Sequence, residues 1–193
     1  MLIMKASDAQ AIALQNDIQK GNVESLQWEL HENAALVTAR VVDRSGVSRT
    51  LLHIGADWPG HLLNGAQVVG ILAAAGADVN ARVGLPDPNG HRETSLHWAA
   101  SSDDVAVLDA LLDAGADIEA TGAVFTDGTA MSDAVIFAQW RAAHRLLERG
   151  ADMHWIGYDR KTPSDVAAES GSDSLIQWLR LRAAGHSSQG TLR

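Results

Sequence analysis

Apolar residues recur at helical spacing in short, paired blocks along most of the chain. In the clearest pair, small apolar residues within 96–100 mark one face of a short helix, and a second helix over 105–112 has apolar residues three and four positions apart. Thr94 can cap the first helix through its hydroxyl group. Gly115 ends the second, because glycine adopts at little cost the positive φ that often follows a helix. The pattern predicts a helix-turn-helix unit from Thr94 to Gly115.

The unit recurs at regular intervals. The phrase Gly-Ala-Asp occurs at residues 76–78, 115–117 and 150–152, with intervals of 39 and 35 residues. A second short motif, which starts with threonine, recurs at similar intervals and begins at Thr50, Thr94, Thr129 and Thr162. Two phrases with a common period indicate a stacked repeat array rather than a single globular core. We therefore predict an all-α fold, a solenoid of about five stacked helix-turn-helix units with hairpin-like connecting loops.

The predicted units form one domain over 5–185, followed by a flexible tail over 186–193. Their boundaries are 5–40, 50–82, 94–120, 129–155 and 162–185. The second unit contains an insertion around residues 57–61, where Pro59 and Gly60 must interrupt any helix. The connector at 83–93 includes the hairpin-turn signal Asn-Gly. These two interruptions distinguish the chain from a regular array.

The first unit follows the pattern only in its spacing. Apolar residues predict helices over 8–20 and 23–31, separated by Gly21 and Asn22. Residues 43–46 are predicted to form a turn that leads to Thr50. This unit is expected to present a more polar outer face, because nothing stacks on the end of an array.

The segment Thr94-Ser95-Leu96-His97-Trp98-Ala99-Ala100, followed by Gly-Ala-Asp-Ile at 115–118, resembles the ankyrin repeat. The resemblance covers nearly the whole chain and is closest at 94–120, and the chain looks like bacterial proteins of that family. It implies that a set of threonines, histidines and glycines has a structural role: Thr50, His53, Gly76, Thr94, His97, Gly115, Thr129, Gly150 and Thr162. Ser132 and Asp165 stand where the family has its histidine, which puts local loop shape in doubt and not the fold.

Composition narrows the range of partners. The 193 residues carry a formal net charge of -9. Nucleic-acid backbones and anionic membranes are bound by clustered Lys and Arg, so neither is expected as the main partner. The acidic surface suggests a protein partner with basic patches. The chain has no cysteine, which excludes disulfides and thiolate metal sites.

The chain is expected to be a cytoplasmic monomer. The start of the sequence has no basic stretch followed by a long apolar run, so we predict no signal peptide. No apolar run reaches the length of about 18 residues that spans a membrane. Arg141, Arg145 and Arg149 are the clustered basic residues, and their spacing on one helix is typical of a solvated face.

Two histidines fall on the family's histidine position, His53 and His97. We favour a structural role, in which each imidazole binds the threonine at the helix start and a backbone group of the adjacent turn. The alternative is a metal or acid–base site using His53, Asp57 and His61, whose spacing would share one face of a continuous helix. The break at residues 59–60 makes that arrangement unfavourable. We predict no catalytic residue, no cofactor and no metal.

Aromatic residues are the candidates for partner binding. Trp28 and Trp178 lie on apolar stripes and are predicted to be core residues. The resemblance implies that the short helices line a concave face, on which several other aromatic residues would come together. The predicted contact residues are Trp58, Arg92, Trp98, Phe137, Trp155 and Tyr158. For Trp98 and Phe137, packing between the units is an equal alternative.

The function favoured by the sequence is that of a non-enzymatic scaffold that binds another protein through its concave face and projecting loops. Two alternatives stay open at this point. One is a small metal-dependent or hydrolytic module using His53, Asp57 and His61. The other is a structural spacer that associates with copies of itself.

Overall fold

A computed structural model describes residues 1–57, 59–84, 92–124, 127–155, 160–170, 173, 176–179 and 181. Helices make up most of the regular structure in these segments. The predicted turn at 89–90 and the predicted tail at 186–193 lie outside the described residues, as do Trp58 and Tyr158.

The N-terminal region begins with a strand and continues with two helices. Its elements are β1 Ile3–Lys5, α1 Ala9–Lys20, α2 Val23–Glu32, a 3-10 helix Ala34–Thr38, β2 Arg40–Val42 and β3 Ser48–Thr50. The two helices predicted at 8–20 and 23–31 are confirmed. Their buried residues recur at helical spacing, with Leu14 and Ile18 on α1 and Leu26 and Leu30 on α2.

The three short strands form one sheet in the order β1-β2-β3, an addition to the mostly helical fold that the all-α prediction did not include. β1 pairs with β2 in parallel, and β2 pairs with β3 antiparallel. The turn predicted at 43–46 closes the antiparallel hairpin, because the Asp43 carboxylate accepts hydrogen bonds from the N–H groups of Ser45 and Val47. Strands of three residues are too short to show a period of two, so the pattern could not reveal them.

The rest of the described chain is built from paired helices. These are α3 Leu51–Gly55, α4 Gly65–Ala74, α5 Ser95–Ser101, α6 Val105–Asp113, α7 Ala130–Ile136, α8 Trp140–Glu148 and α9 Pro163–Ser170, and residues 173, 176–179 and 181 are helical as well. The short helices pack on one another, α5 on α7 and α7 on α9. The longer helices do the same, α4 on α6 and α6 on α8. The pair predicted between Thr94 and Gly115 is confirmed.

The core contains two kinds of side chain. The longer helices bury branched residues such as Leu72, Leu108 and Leu146, each of which contributes roughly 1.5–3 kcal/mol on leaving water. The short helices bury small residues such as Ala99 and Ala134. Small side chains allow these helices to approach closely, so the helix pairs can pack at short spacing.

The Gly-Ala-Asp phrase ends each longer helix and links consecutive units. Gly115 has φ +93°, a conformation that glycine adopts at little cost, and the corresponding glycines at 76 and 150 have φ +99° and +95°. The aspartate that follows accepts a hydrogen bond from the N–H two residues on, as Asp117 does from Glu119. Asn80 then reaches the next unit, accepting from the N–H of Asp117 at 2.8 Å and donating to the carbonyl of Gly115 at 3.2 Å.

Trp28 lies on the solvent face of α2, with 64% of its surface exposed, so the prediction that it is a core residue was wrong. The buried stripe of α2 consists of Val23, Leu26 and Leu30. At about 100° per residue, Trp28 projects well away from that stripe. Trp178 is half-buried and packs on Trp140 with ring centroids 6.3 Å apart.

None of the helices in the described part of the chain combines the length and the apolar content needed to cross a bilayer.

Candidate binding surface

Two histidines fasten the start of a short helix to the connector that follows. In α3, the Nδ1 atom of His53 lies 2.7 Å from the hydroxyl of Thr50, and its Nε2 atom lies 3.2 Å from the carbonyl oxygen of Glu93. A carbonyl oxygen can only accept, so Nε2 carries the proton of the neutral ring and Nδ1 accepts from the threonine. Each imidazole nitrogen therefore has a partner.

The second of these histidines repeats the arrangement one unit further on. In α5, the Nδ1 atom of His97 lies 2.9 Å from the Thr94 hydroxyl and accepts from the Thr94 N–H at 3.2 Å. Its Nε2 atom lies 3.2 Å from the carbonyl oxygen of Gly128. Burial lowers the pKa of both His53 and His97 to about 4, so both rings are neutral near pH 7.

The three residues of the alternative metal site have separate partners. Asp57 forms an ion pair with Arg49 at 3.0 Å. The backbone N–H of His61 donates to the Asp104 carboxylate, which also caps α6. Both nitrogens of His53 are engaged within the repeat, as described above. Among the residues that the structure describes, no group of three or more His, Cys, Asp or Glu side chains could hold a metal ion.

Thr129 and Thr162, which precede α7 and α9, have different surroundings from Thr50 and Thr94. Asp165 stands in place of the histidine after Thr162, and its Oδ2 atom accepts from the Thr162 N–H at 2.9 Å and from its hydroxyl at 2.8 Å. These hydrogen bonds lower the pKa of Asp165. After Thr129, however, the substitution is Ser132, and the hydroxyl of Thr129 is buried without a hydrogen-bond partner in the described residues.

Trp98 is half-buried between consecutive helix pairs. Its indole N–H donates to Oε2 of Glu93 at 2.7 Å. Its ring meets the His53 imidazole edge-on, with centroids 5.0 Å apart and an interplanar angle of 80°. The other Glu93 oxygen accepts from the N–H of Val124 at 3.2 Å. Glu93 therefore joins the tryptophan of α5 to the next connector.

Asp133 is a buried acid that the sequence analysis missed. It is the fourth residue of α7, the position held by Ile54 in α3 and by Trp98 in α5. Only 1% of its surface is exposed, and neither carboxylate oxygen has a hydrogen-bond partner among the described residues. Burial, and secondarily the charge of Glu93, raise its pKa well above the usual value. A carboxylate at a position that is otherwise apolar was the signal that could have revealed it.

The other predicted contact residues are spread along the chain. Arg92 is exposed, and its carbonyl oxygen accepts from Arg82 at 2.9 Å. Phe137 is 45% exposed and follows the last residue of α7. It comes four residues after Asp133, which corresponds to about 6 Å along a helix axis. Trp155 is half-buried, and its backbone N–H donates to the Asp152 carbonyl at 3.3 Å.

Two of the three clustered arginines, Arg145 on α8 and Arg149 at its C-terminal end, form ion pairs in addition to their contact with solvent. Arg149 pairs with Asp109 at 2.9 Å and with Asp113 at 2.6 Å, both on α6. Arg145 also reaches Asp109, at 3.1 Å, and pairs with Glu148 on its own helix. The ion pairs join two adjacent longer helices. Because these side chains are partly exposed, each pair contributes roughly 0–1 kcal/mol.

Paired helices that pack on the equivalent helices of the next pair are typical of the class of helical repeat proteins. Residues 91–120 match the ankyrin repeat family. The chain is also 26% identical over 126 residues to palmitoyltransferase AKR1 of Candida albicans. That alignment covers 58% of this chain, which spans only 15% of the length of this relative. The match and the similarity both support an ankyrin-repeat family, and residues 91–120 are the part of the chain that matches the family directly. Ankyrin repeats generally mediate protein–protein interactions and are typically not enzymes.

Proposed function

We propose that the chain is a non-enzymatic interaction module, a solenoid of about five ankyrin units that binds a partner protein through its concave face and projecting loops. The proposal rests on a hydrogen bond that occurs twice. In each case the histidine of one helix pair, His53 or His97, donates to a backbone carbonyl in the connector that follows that pair. Links of this kind extend a surface from unit to unit instead of closing a pocket. Large open surfaces suit protein partners better than small substrates.

The contact residues that we propose remain Trp58, Arg92, Trp98, Phe137, Trp155 and Tyr158. Exposed or half-buried aromatic side chains are frequent hot spots in protein interfaces. The net charge of -9 favours a partner with basic patches, because complementary charge speeds association and disfavours acidic partners. We propose further that the protein is a cytoplasmic monomer whose main partner is neither nucleic acid nor membrane.

Affinity capture tests this proposal. Immobilised wild-type protein should recover one specific protein from a native extract. The double variant Phe137→Ala, Trp155→Ala should lose it, because both proposed contacts are removed. Trp28→Ala is the matched control, since it removes an exposed tryptophan from α2, outside the proposed surface. Capture that is unchanged in the double variant, or that is lost equally in Trp28→Ala, would contradict the proposed surface.

A further inference from the structure

A groove runs along α8, on the longer helices of the array, and we call it the α8 groove. Its volume is about 580 Å³, within the range of roughly 300–1,000 Å³ that is usual for binding pockets. Five residues of α8 line it together with Trp178, which follows α9: Trp140, Arg141, His144, Arg145 and Glu148. None of the six contact residues proposed above is among its lining residues.

The apolar part of the α8 groove is a cluster of three rings. The indole rings of Trp140 and Trp178 meet edge-on, with centroids 6.3 Å apart. The His144 imidazole lies 5.4 Å from the Trp178 ring, at an interplanar angle of 32°. All three residues are half-buried, so the rings pack on one another while each keeps some contact with solvent. Tryptophans placed in this way are frequent anchors for an apolar side chain of a partner protein.

The polar part of the α8 groove leaves one positive charge available. Arg145 is held by two carboxylates, those of Asp109 at 3.1 Å and Glu148 at 2.9 Å. Glu148 also lies 3.4 Å from the Nδ1 atom of His144. Arg141 is exposed and comes one turn before Arg145, and it has neither a hydrogen bond nor an ion pair in the described part of the chain. The acid of the groove is therefore engaged, whereas the guanidinium group of Arg141 is open to a ligand.

The kind of ligand follows from these two parts. A guanidinium group binds a carboxylate through two parallel hydrogen bonds, and the rings can bury an apolar side chain. An acidic residue next to an apolar one supplies both groups in a short stretch of protein chain. A nucleic acid would require clustered basic residues, and the net charge of -9 opposes its approach.

We propose that the α8 groove is a second docking site, for a segment of a partner protein in which an aspartate or glutamate lies beside a phenylalanine or leucine. The carboxylate pairs with Arg141, and the apolar side chain packs against Trp140 and Trp178. The inference goes beyond the proposed function, because it concerns another surface. It also calls for the opposite charge, since the net charge of the whole chain favours a partner with basic patches.

Short peptides test the groove directly. The peptide acetyl-Gly-Glu-Phe-Glu-Leu-Gly-amide is titrated into isotope-labelled protein, and the NMR signals of the Trp140 and Trp178 indole N–H groups are followed. The exposed Trp28 indole is the internal control. The same peptide with glutamine in place of glutamate is the ligand control, and a short single-stranded oligothymidylate tests the nucleic-acid alternative.

We expect saturable shifts of the Trp140 and Trp178 signals with the acidic peptide and none for Trp28. Binding of the glutamine peptide should be weaker by about tenfold or more, because a hydrogen bond between charged groups is lost. Shifts that rise linearly, equal binding of the two peptides, or tighter binding of the oligothymidylate would each overturn the proposal.

Variants locate the carboxylate contact. Arg141→Gln should weaken binding of the acidic peptide by about tenfold or more, to the level of the glutamine peptide, and it should bind the two peptides equally. Arg44→Gln is the matched control, because Arg44 is also an exposed arginine without a partner in the described residues, but it lies in the turn at 43–46. It should bind the acidic peptide as the wild type does. Unchanged binding in Arg141→Gln, or an equal loss in Arg44→Gln, would refute the assigned contact.

Discussion

The Nε2 atom of His97 lies 3.2 Å from the carbonyl oxygen of Gly128, which is 31 residues further along the chain. His53 has the same relationship with the carbonyl of Glu93, 40 residues away. A helix start in one unit is thereby hydrogen-bonded to the connector of the next. Buried, neutral imidazole rings therefore take part in the contact between these units.

Removal of one of these rings should destabilise the protein. His97→Ala removes the hydrogen bonds of the imidazole to Thr94 and to the Gly128 carbonyl, and it opens a cavity. We expect a loss of about 2–4 kcal/mol in the free energy of unfolding, measured by urea titration. His31→Ala, on the exposed face of α2, should change it by less than about 0.5 kcal/mol. Equal losses in the two variants would show that the His97 hydrogen bonds do not add to the free energy of unfolding.

The two histidines should also make stability depend on pH. Their pKa is about 4 in the folded protein and 6.5 for an ordinary histidine, so the unfolded chain binds more protons between these values. The contribution to stability is complete above about pH 6.5 and is lost as the pH falls towards about 4. The loss can reach about 3 kcal/mol for each ring. Urea titrations over this range should show a shallower dependence for His97→Ala, and an unchanged dependence would contradict the assignment.

Asp133 should show the opposite behaviour. Its pKa is raised in the folded protein, so its contribution favours folding at low pH and is lost as the pH rises through the folded pKa. Asp133→Asn removes the buried acid and should stabilise the protein by about 1 kcal/mol or more near pH 7.5, with a smaller gain near pH 5. Thermal and urea unfolding at both pH values measure this difference. Asp113→Asn, on the exposed face, should show no such gain, and destabilisation of Asp133→Asn near pH 7.5 would contradict the prediction.

Trp98 should contribute more to stability than the exposed Trp28. Trp98→Ala removes the packing on His53 and the hydrogen bond to Glu93, and we expect a loss of about 2–3 kcal/mol in the free energy of unfolding. Trp98→Phe retains most of the packing and should recover part of this loss. Trp28→Ala should cost less than about 0.5 kcal/mol, because its side chain is largely in solvent. A Trp98→Ala variant as stable as Trp28→Ala would place Trp98 on an open surface after all.

Two glycines with positive φ should respond differently to alanine. At Gly115 a Cβ atom would meet no other atom within 4 Å, so Gly115→Ala carries only the backbone strain of about 1–2 kcal/mol. At Gly122, with φ +126°, a Cβ atom would lie 2.5 Å from the carbonyl oxygen of Arg92. Gly122→Ala should therefore cost at least about 2 kcal/mol more than Gly115→Ala in thermal unfolding. A similar loss of stability in the two variants would mean that the connector shifts to make room for the added Cβ atom.

Several features could be predicted because their causes lie within a few residues. Thr94 and Gly115 mark the ends of a helix pair through local hydrogen bonds and backbone preference. Periodic apolar residues were sufficient for α1 and α2. The same argument failed for Trp28, because it projects from the side of α2 opposite to the buried stripe of Leu26 and Leu30.

The candidate site was harder to predict because its contacts join distant parts of the chain. Glu93 meets the Val124 N–H across 31 residues, and its field reaches Asp133 on another helix. No local pattern records such pairs. Comparison of equivalent positions in successive units would have singled out Asp133, whose neighbours in the array are apolar.

The sequence by itself determined the helix pairs and the resemblance to the ankyrin repeat, because the period and the helix-ending residues are local and recur. Tertiary structure alone decided the three-stranded sheet and the surroundings of Trp98 and Asp133. The physical reason is that strand pairing and burial depend on groups brought together from units that are tens of residues apart. The carboxylate of Asp133 is costly to the fold only because the packing of α5 and α7 removes it from water.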